Sequence, residues 1–161
     1  MLENLDLQIH NSQIEIKIFA DNNYEYLEKI KLQYLKSLVM LIVSEYEVII
    51  EKIFYLRAEK CNDYMLANFV KIFMDRKFRS PNLSKIYDTL KSFDNKLSND
   101  FRSRINNTTI HAAWDNLIEA RHYIVHKSGS LNLTYEELIL SYPKTKNVLI
   151  ELAFILDVDI V

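Results

Sequence analysis

Apolar residues recur at steps of three and four along most of this chain, the spacing that places them on one face of an α-helix. The longest such run covers residues 23 to 60 and predicts one long helix, or two nearly collinear ones. A helix of that length cannot lie alone on a surface, so we expect it to form the spine of the fold. Its apolar positions are Tyr24, Leu27, Ile30, Tyr34, Leu38, Leu41, Tyr46, Ile49, Ile53 and Leu56.

Two further helices are predicted after the spine. Asp63 can cap the first, and residues 80 to 82 (SPN) should end it, because proline lacks an amide donor and disfavours helix in the residue before it. The apolar stripe of the first is Leu66, Phe69, Val70 and Phe73. The stripe of the second is Leu83, Ile86, Tyr87, Leu90 and Phe93. A short helix is expected between residues 95 and 107.

The next predicted helix contains the sequence EARHYIVHKSG at residues 119 to 129. Thr108 or Thr109 can cap its start, and Gly129, the only glycine, occurs where a left-handed C-terminal cap is expected. This helix, called the motif helix below, therefore ends within one turn of His126.

The two ends of the chain are also predicted to be helical. Thr134 with Glu137 three residues later forms a capping box, and Pro143 should separate that short helix from a last one over about residues 145 to 156. Residues 1 to 22 contain IEIKIF, which alternates like a strand, but an isolated strand would have no partner here. We therefore expect a helix with Leu5, Ile9 and Ile16 on one face.

Composition supports this all-helical interpretation. The chain has one glycine and two prolines in 161 residues, which leaves little turn chemistry for β-hairpins, and 49% of its residues are apolar. The predicted fold is all-α: a helical bundle of about five to seven helices with a long N-terminal spine, in which residues 1–161 form a single domain. The N-terminal segment 1–22 belongs to this domain.

Charge and cysteine content limit the classes of partner. The net charge is −2, from 20 basic and 22 acidic residues, so contact with nucleic acid must come from a local patch. Cys61 is the only cysteine, which excludes an internal disulfide. The longest apolar stretch, LVMLIV, is far short of a membrane span, and no basic-then-apolar leader is present. We expect a cytoplasmic protein with no membrane partner.

The motif helix carries two distinct faces. Arg121 lies in the middle of the apolar face, with the apolar residues within roughly 60° of it on either side. A polar stripe runs beside that face, at four-, three- and four-residue spacing. It consists of Asp115, Glu119, His122 and His126. The two histidines share this stripe, whereas the arginine lies apart from them.

An arginine on an apolar face needs an anion, because its guanidinium stays charged and burying it unpaired costs several kcal/mol. One solution is an internal carboxylate, for which the spine offers Glu45 and Glu47. The other is that this face lines a cleft or a subunit interface where Arg121 binds a phosphate.

A metal site is a third possibility, since Glu119, His122 and His126 could point at one ion, and Glu-x-x-His is used in helical di-iron bundles. Such bundles need a second set of ligands, and the chain has no other Glu-x-x-His and no other His-x-x-x-His. We therefore expect no metal and no other cofactor.

The motif helix resembles the HEPN superfamily, small helical domains of prokaryotic defence and toxin systems. The family signature is an arginine, a polar residue, three further residues and a histidine, near the end of a late helix. This chain has Arg121, His122, YIV and His126 in that place. The spine segment LIVSEYEVII, with Glu47 as the matching acid, and the later HKSG and TYEEL resemble the RiboL-PSP-HEPN branch over roughly residues 24 to 157.

Two positions depart from the family pattern. In the toxin branch paired with nucleotidyltransferase antitoxins, a tyrosine follows the histidine by two residues, and here that position is Ser128. Modification of that tyrosine therefore cannot be carried over. The polar residue is His122, where the family more often has asparagine.

The resemblance implies a metal-independent endoribonuclease, a toxin or abortive-infection effector, with RNA as substrate. His126 would act as acid or base, Arg121 would stabilise the phosphate charge, and His122 would orient the site or contact substrate. Glu47 and Glu119 would support them. An antitoxin or another defence-system protein is a further expected partner. The basic residues expected near the cleft are Lys127, Arg102 and Arg104.

The resemblance also implies a homodimer. Arg121 and His126 differ by roughly 140° about the helix axis, so they converge on one phosphate if the arginine bends round, the last turn unwinds, or two motifs meet. Family members pair their motif helices about a two-fold axis, which would also cover Trp114, Ile118 and Val125. The alternative function is a catalytically inactive HEPN-like module that binds a protein or nucleotide partner.

Overall fold

The computed structural model describes residues 2–22, 24–126 and 131–160. These residues form seven α-helices, a short 3-10 turn at Tyr24–Tyr26 and no strand, which confirms the all-α prediction. The helices are α1 (Leu2–Asn22), α2 (Leu27–Glu59), α3 (Tyr64–Lys77), α4 (Leu83–Phe93), α5 (Asn95–Arg104), α6 (Thr108–His126) and α7 (Tyr135–Ile155).

The predicted spine is confirmed as α2, whose 33 residues make a helix roughly 50 Å long. It packs against α1, α3, α6 and α7. Its fully buried side chains include Tyr46, Ile49, Ile50 and Ile53. The two halves of α2 have different neighbours. Helix α3 covers the C-terminal half of α2, and the end of α6 lies beside its N-terminal half.

The N-terminal segment is a helix, as predicted, and α1 runs antiparallel to α7. Leu5, Ile9 and Ile16 are buried. The hydroxyls of Ser12 and Tyr135 lie 2.9 Å apart, and Asp6 accepts hydrogen bonds from Tyr142 (2.9 Å) and Lys146 (2.6 Å). Polar contacts to α7 therefore help to hold α1 in place, in addition to the apolar face of α1.

The prediction that Pro143 separates two helices is wrong. Helix α7 is continuous from Tyr135 to Ile155 with Pro143 inside it. Thr145 donates to the carbonyl of Tyr142 and accepts a hydrogen bond from Tyr46 of α2, both at 2.9 Å. Buried residues on both sides of the proline offset its cost of about 3 kcal/mol, so tertiary packing overrides the local preference.

Two predicted helix starts are confirmed and one is wrong. Asp63 accepts from the amides of the first turn of α3, and Thr134 with Glu137 forms the capping box of α7. Helix α6 already includes Thr108, and the side chain of Asn107 accepts from the amide of Thr109 at 2.9 Å. The threonines are therefore inside the helix, and asparagine, an equally good cap, precedes them. Gly129 lies outside the described residues.

The predicted apolar stripe of α3 is buried at Val70 and wrong at its other three positions. The buried residues of α3 are Ala67, Val70 and Met74, whereas Leu66, Phe69 and Phe73 are exposed. Both faces of this helix carry apolar residues, so periodicity alone could not choose between them. Ala67 and Val70 are smaller than the exposed Leu66 and the two exposed phenylalanines, so this side allows the axes of α3 and α2 to approach closely.

Candidate functional site

Helix α6 places the predicted site residues on opposite faces. Its buried side chains are Ala113, Trp114, Leu117, Ile118 and Ala120. The polar stripe predicted from the sequence is exposed along its whole length. That stripe consists of Asp115, Glu119, His122 and His126. The division of α6 into an apolar and a titratable face is therefore as predicted.

Arg121 lies where the core ends. It follows Trp114 by two turns on the same face, roughly 10 Å further along the axis. Ile124 beyond it is half-buried and Val125 is 44% exposed, so the apolar face emerges from the core over this last turn. Arg121 itself is half-buried and makes no hydrogen bond or ion pair with any residue that the structure describes. Its guanidinium is thus available to an external anion.

Glu47 serves a different part of the fold. Its Oε1 accepts a hydrogen bond of 2.7 Å from the amide of Ser80, whose backbone has a φ of 50°. Trp114 donates from Nε1 to the carbonyl of Pro81 at 2.8 Å, on the other side of the same connection. Glu47 therefore fixes the α3–α4 connection at the level of Trp114. Neither Glu47 nor Glu45 is paired with Arg121 within the described residues.

His122 and His126 form a pair of stacked rings on the exposed face. Their ring centroids are 6.2 Å apart and their planes differ by 24°. Glu119 is exposed one turn before His122. In the parts of the chain that the structure describes, no group of three or more His, Cys, Asp or Glu side chains is arranged to hold a metal ion. The two imidazoles are therefore open to solvent and to a substrate.

A cavity of about 510 Å³ opens at the C-terminal end of α6, between Tyr123, the N-terminal half of α2 and the start of α7. Tyr123, which lies between the two histidines in sequence, contributes to its wall together with Lys31 and Lys36. Because Tyr123 and His126 are three residues apart, they are neighbours on the helix surface. The cavity and the exposed imidazoles therefore share one end of α6.

The two lysines of this cavity differ in whether a described acidic residue pairs with them. Lys31 donates to Glu136 at 2.6 Å and to Glu28 at 3.1 Å, and these hydrogen bonds raise the pKa of Lys31. The same lysine lowers the pKa of Glu136. Lys36 has no hydrogen bond or ion pair to any described residue. Among the described residues that line this cavity, Lys36 is therefore the cation that a polyanion can bind without displacing an internal partner.

Two of the basic residues predicted to lie near the cleft lie elsewhere. Arg104 is bonded to Glu151 at 3.0 Å and packs on the ring of Phe154, and Arg102 lies 4.4 Å from the ring centroid of Tyr87. Both precede the start of α6, whose 19 residues put its far end roughly 28 Å away. The prediction for these two is wrong. Lys127 lies outside the described residues.

The RiboL-PSP-HEPN family model matches residues 3 to 157. The chain belongs to the RiboL-PSP-HEPN family. The match contains the whole of α6 and confirms the resemblance to this family. No curated protein and no solved structure matches the chain significantly. None of the helices among the described residues is long and apolar enough to cross a membrane.

Sequence reasoning missed two residues at this end of the HEPN domain. Tyr123 is inside the motif itself. Its position three residues before His126 indicates that it can contact a ligand bound by that histidine. Lys36 is more than eighty residues away in sequence and gave no signal. Its position near α6 depends on the antiparallel packing of α6 against α2, in which Tyr46 faces Trp114 and Lys36 lies near Tyr123.

Proposed function

We propose that this HEPN domain is a metal-independent endoribonuclease that acts as a toxin or as an effector of a defence system. The observation that carries the proposal is the end of α6, where an unpaired guanidinium, Arg121, and two exposed imidazoles, His122 and His126, lie within one and a half turns. An RNA phosphate needs both kinds of group, one for its charge and one for proton transfer.

The chemistry requires two proton transfers around one phosphate. The ribose 2′-oxygen loses its proton and attacks phosphorus, and the bond to the 5′-oxygen breaks as that oxygen gains a proton. Imidazole is the side chain that exchanges protons most readily near neutral pH, so His126 performs one of these transfers. Arg121 stabilises the charge that grows on the non-bridging phosphate oxygens, and His122, stacked on His126, orients it.

A composite site at a homodimer interface accounts for the two faces of α6. Within one chain Arg121 lies on the half-buried face and His126 on the exposed one, so a two-fold axis beside the motif brings the arginine of one copy to the histidine of the other. The expected covering of Trp114 and Ile118 by the partner is wrong, since both are buried within the chain. The geometry of Arg121 and His126 is what supports the dimer.

The cavity next to the histidines supplies the contacts to RNA beyond the scissile phosphate. The ring of Tyr123 offers a surface on which an unpaired base can stack, and Lys36 offers a charge to a neighbouring phosphate. Single-stranded RNA fits this combination better than a duplex, because only an unpaired base can leave its own stack. With a net charge of −2, the chain depends on such local contacts.

An inactive HEPN-like module that binds a protein or nucleotide partner is the second candidate. The observation that favours it is the small number of available cations among the described residues near the motif: Lys31 is already ion-paired there, and Arg102 and Arg104 lie at the other end of α6. An antitoxin or another defence-system protein would be such a partner. Catalysis by Arg121 and the histidines would then be absent.

One experiment separates the two candidates. Purified protein is incubated with a mixture of single-stranded RNAs in a chelator, and wild type is compared with His126→Ala, Arg121→Ala and the control His10→Ala. His10 is exposed on α1 and lies beside Tyr142 and Pro143 of α7. Cleavage that survives the chelator, persists in the control and is lost in both motif variants supports the nuclease. Equal RNA stability in all samples, with all variants folded, supports the module.

A further inference from the structure

Helix α3 exposes a continuous apolar face that its own fold leaves open. Met65 is 79% exposed, Phe69 65% and Ile72 59%. Leu66 and Phe73 belong to the same face and are also exposed, and the rings of Phe69 and Phe73 stack with centroids 6.2 Å apart. All five lie within roughly 60° of Phe69 about the helix axis. This set of five is called the α3 face below.

The α3 face is not needed to hold α3 in place. The opposite side of the helix packs on α2 through Ala67, Val70 and Met74, which are buried. Two aromatic rings of roughly 150–250 Å² each, with three large aliphatic side chains, make a patch of several hundred Å². Monomeric proteins rarely expose a larger one, and a stable interface buries about 800 Å² per partner. The patch can therefore form the apolar centre of such an interface, with the polar residues around it supplying the rest of the area.

The residues of the α3 face are symmetric about Phe69. Met65 lies four positions before it and Phe73 four after, and Leu66 and Ile72 lie three before and three after. When two such helices pair antiparallel about a two-fold axis through Phe69, each of these residues meets its counterpart, and Phe69 meets itself. The spacing of three and four is also that of an antiparallel coiled-coil seam.

The charges at the two ends of α3 complement each other in the same arrangement. Asp63 caps the start of the helix, and its last turn carries Asp75, Arg76 and Lys77, with a net charge of about +1. Arg76 is exposed and has no ion pair within the described residues. An antiparallel pair places the basic end of each copy beside the acidic start of the other, and opposes the two helix dipoles. A parallel pair would bring like charges together.

We infer that the α3 face binds the α3 face of a second copy of this chain, with the two helices antiparallel. The contact is remote from the motif: Lys71 of α3 lies over Tyr55 of α2, which is 19 residues, or roughly 28 Å, from Lys36 beside the motif. The inference therefore does not rest on the nuclease proposal. If the motif helices also pair, the two contacts together build a tetramer or a longer assembly.

Paired charge substitutions test the proposed symmetry. Met65→Glu and Phe73→Lys each place a charge between the two paired α3 helices. Each variant alone should therefore have half the mass of the wild-type assembly when measured by sedimentation. Met65 of one copy faces Phe73 of the other. A mixture of the two variants should therefore restore the assembly as a heterodimer with one Glu–Lys pair and one Met–Phe pair. The control is Leu140→Glu, which adds a charge at a residue 75% exposed on α7 and should change nothing.

A cysteine at the axis gives a second, independent measurement. In a Cys61→Ser background, Phe69→Cys should form a disulfide between two copies when an added oxidant removes the thiol protons and electrons, because the two sulfurs meet at the two-fold axis. Leu140→Cys is the matched control and should cross-link far more slowly. Circular dichroism checks that each variant is folded.

Four results would overturn the inference. The wild type could sediment as a monomer at high concentration, or the single variants could assemble like the wild type. The mixture could also stay dissociated, which would indicate a different chain as the partner of the α3 face. Equal cross-linking of the two cysteine variants would count as the same failure. Restored assembly with preferential cross-linking at position 69 supports it.

Discussion

Tyr46 and Trp114 stack in the centre of the core, with ring centroids 5.4 Å apart and planes only 14° from parallel. Each ring also makes one polar contact outside the pair, Trp114 to the Pro81 carbonyl and Tyr46 to the hydroxyl of Thr145. Burial raises the pKa of Tyr46 far above its usual value, so this phenol stays neutral. The pair fixes α6 against α2 and thereby decides that Arg121 emerges at the edge of the core.

Trp114→Phe is expected to destabilise the protein by about 1–3 kcal/mol. The smaller ring can keep the stacking on Tyr46, but the buried carbonyl of Pro81 loses its donor, and an unsatisfied buried acceptor costs about that much. Unfolding in urea measures the change. Val125→Ala, on the exposed end of the same helix, is the control and should stay within about 0.5 kcal/mol of the wild type. Equal effects in the two variants would contradict the role given to the Nε1 hydrogen bond.

Mixing Arg121→Ala with His126→Ala should restore part of the RNase activity that each variant has lost. In a composite site the arginine comes from one copy and the histidine from the other. A mixed dimer then has one site with both groups intact and one with neither, so roughly a quarter of the wild-type activity should return. RNA cleavage by the separate and mixed proteins is the measurement. No recovery after exchange of subunits would mean that both groups act within one chain.

The helix boundaries could be predicted wherever the deciding chemistry is local. Asp63 and the pair Thr134 and Glu137 mark helix starts because their side chains bond amides only two or three residues away. Pro143 failed as a boundary because the compensating contacts come from other helices: Tyr46 lies about a hundred residues from Thr145, and Asp6 even further from Tyr142. A local rule cannot include such partners.

In the candidate site, too, local features could be predicted and features that depend on other helices could not. The faces of α6 follow from its periodicity, so the sequence could separate Arg121 from His122 and His126. The point at which the apolar face leaves the core could not be predicted, because it depends on where α2 packs across α6. The same holds for Lys36 beside Tyr123, and for the choice of Ala67 and Val70 as the buried side of α3.

Lys36→Ala should weaken RNA binding and leave the chemical step nearly unchanged. Lys36 lies in the cavity next to the motif and contacts no acid among the described residues, so its loss should remove one phosphate contact without freeing an internal partner. The logarithmic salt dependence of single-strand binding should fall by about 0.7 for one contact, and KM should rise while kcat stays near wild type. Lys29→Ala, exposed on the same helix, is the control. Identical salt slopes for both variants would contradict the assignment of the cavity to RNA.

Asp6→Asn should lower stability at neutral pH by about 1 kcal/mol or less, since the ion pair with Lys146 is partly exposed. Burial by itself raises the pKa of Asp6, but hydrogen bonds from Lys146 and Tyr142 outweigh it and hold the pKa below 3.8. The stabilisation is therefore complete above pH 3.8 and is lost as the pH falls through the lower pKa of the folded state. Urea unfolding between acidic and neutral pH should give a difference in unfolding free energy between wild type and Asp6→Asn. This difference should disappear at the acidic end. Glu3→Gln, on the same helix and without an ion pair to the described residues, should show no such dependence. If the stability difference between wild type and Asp6→Asn grew as the pH fell, its pH dependence would have the opposite sign. That result would contradict the pairing of Asp6 with Lys146.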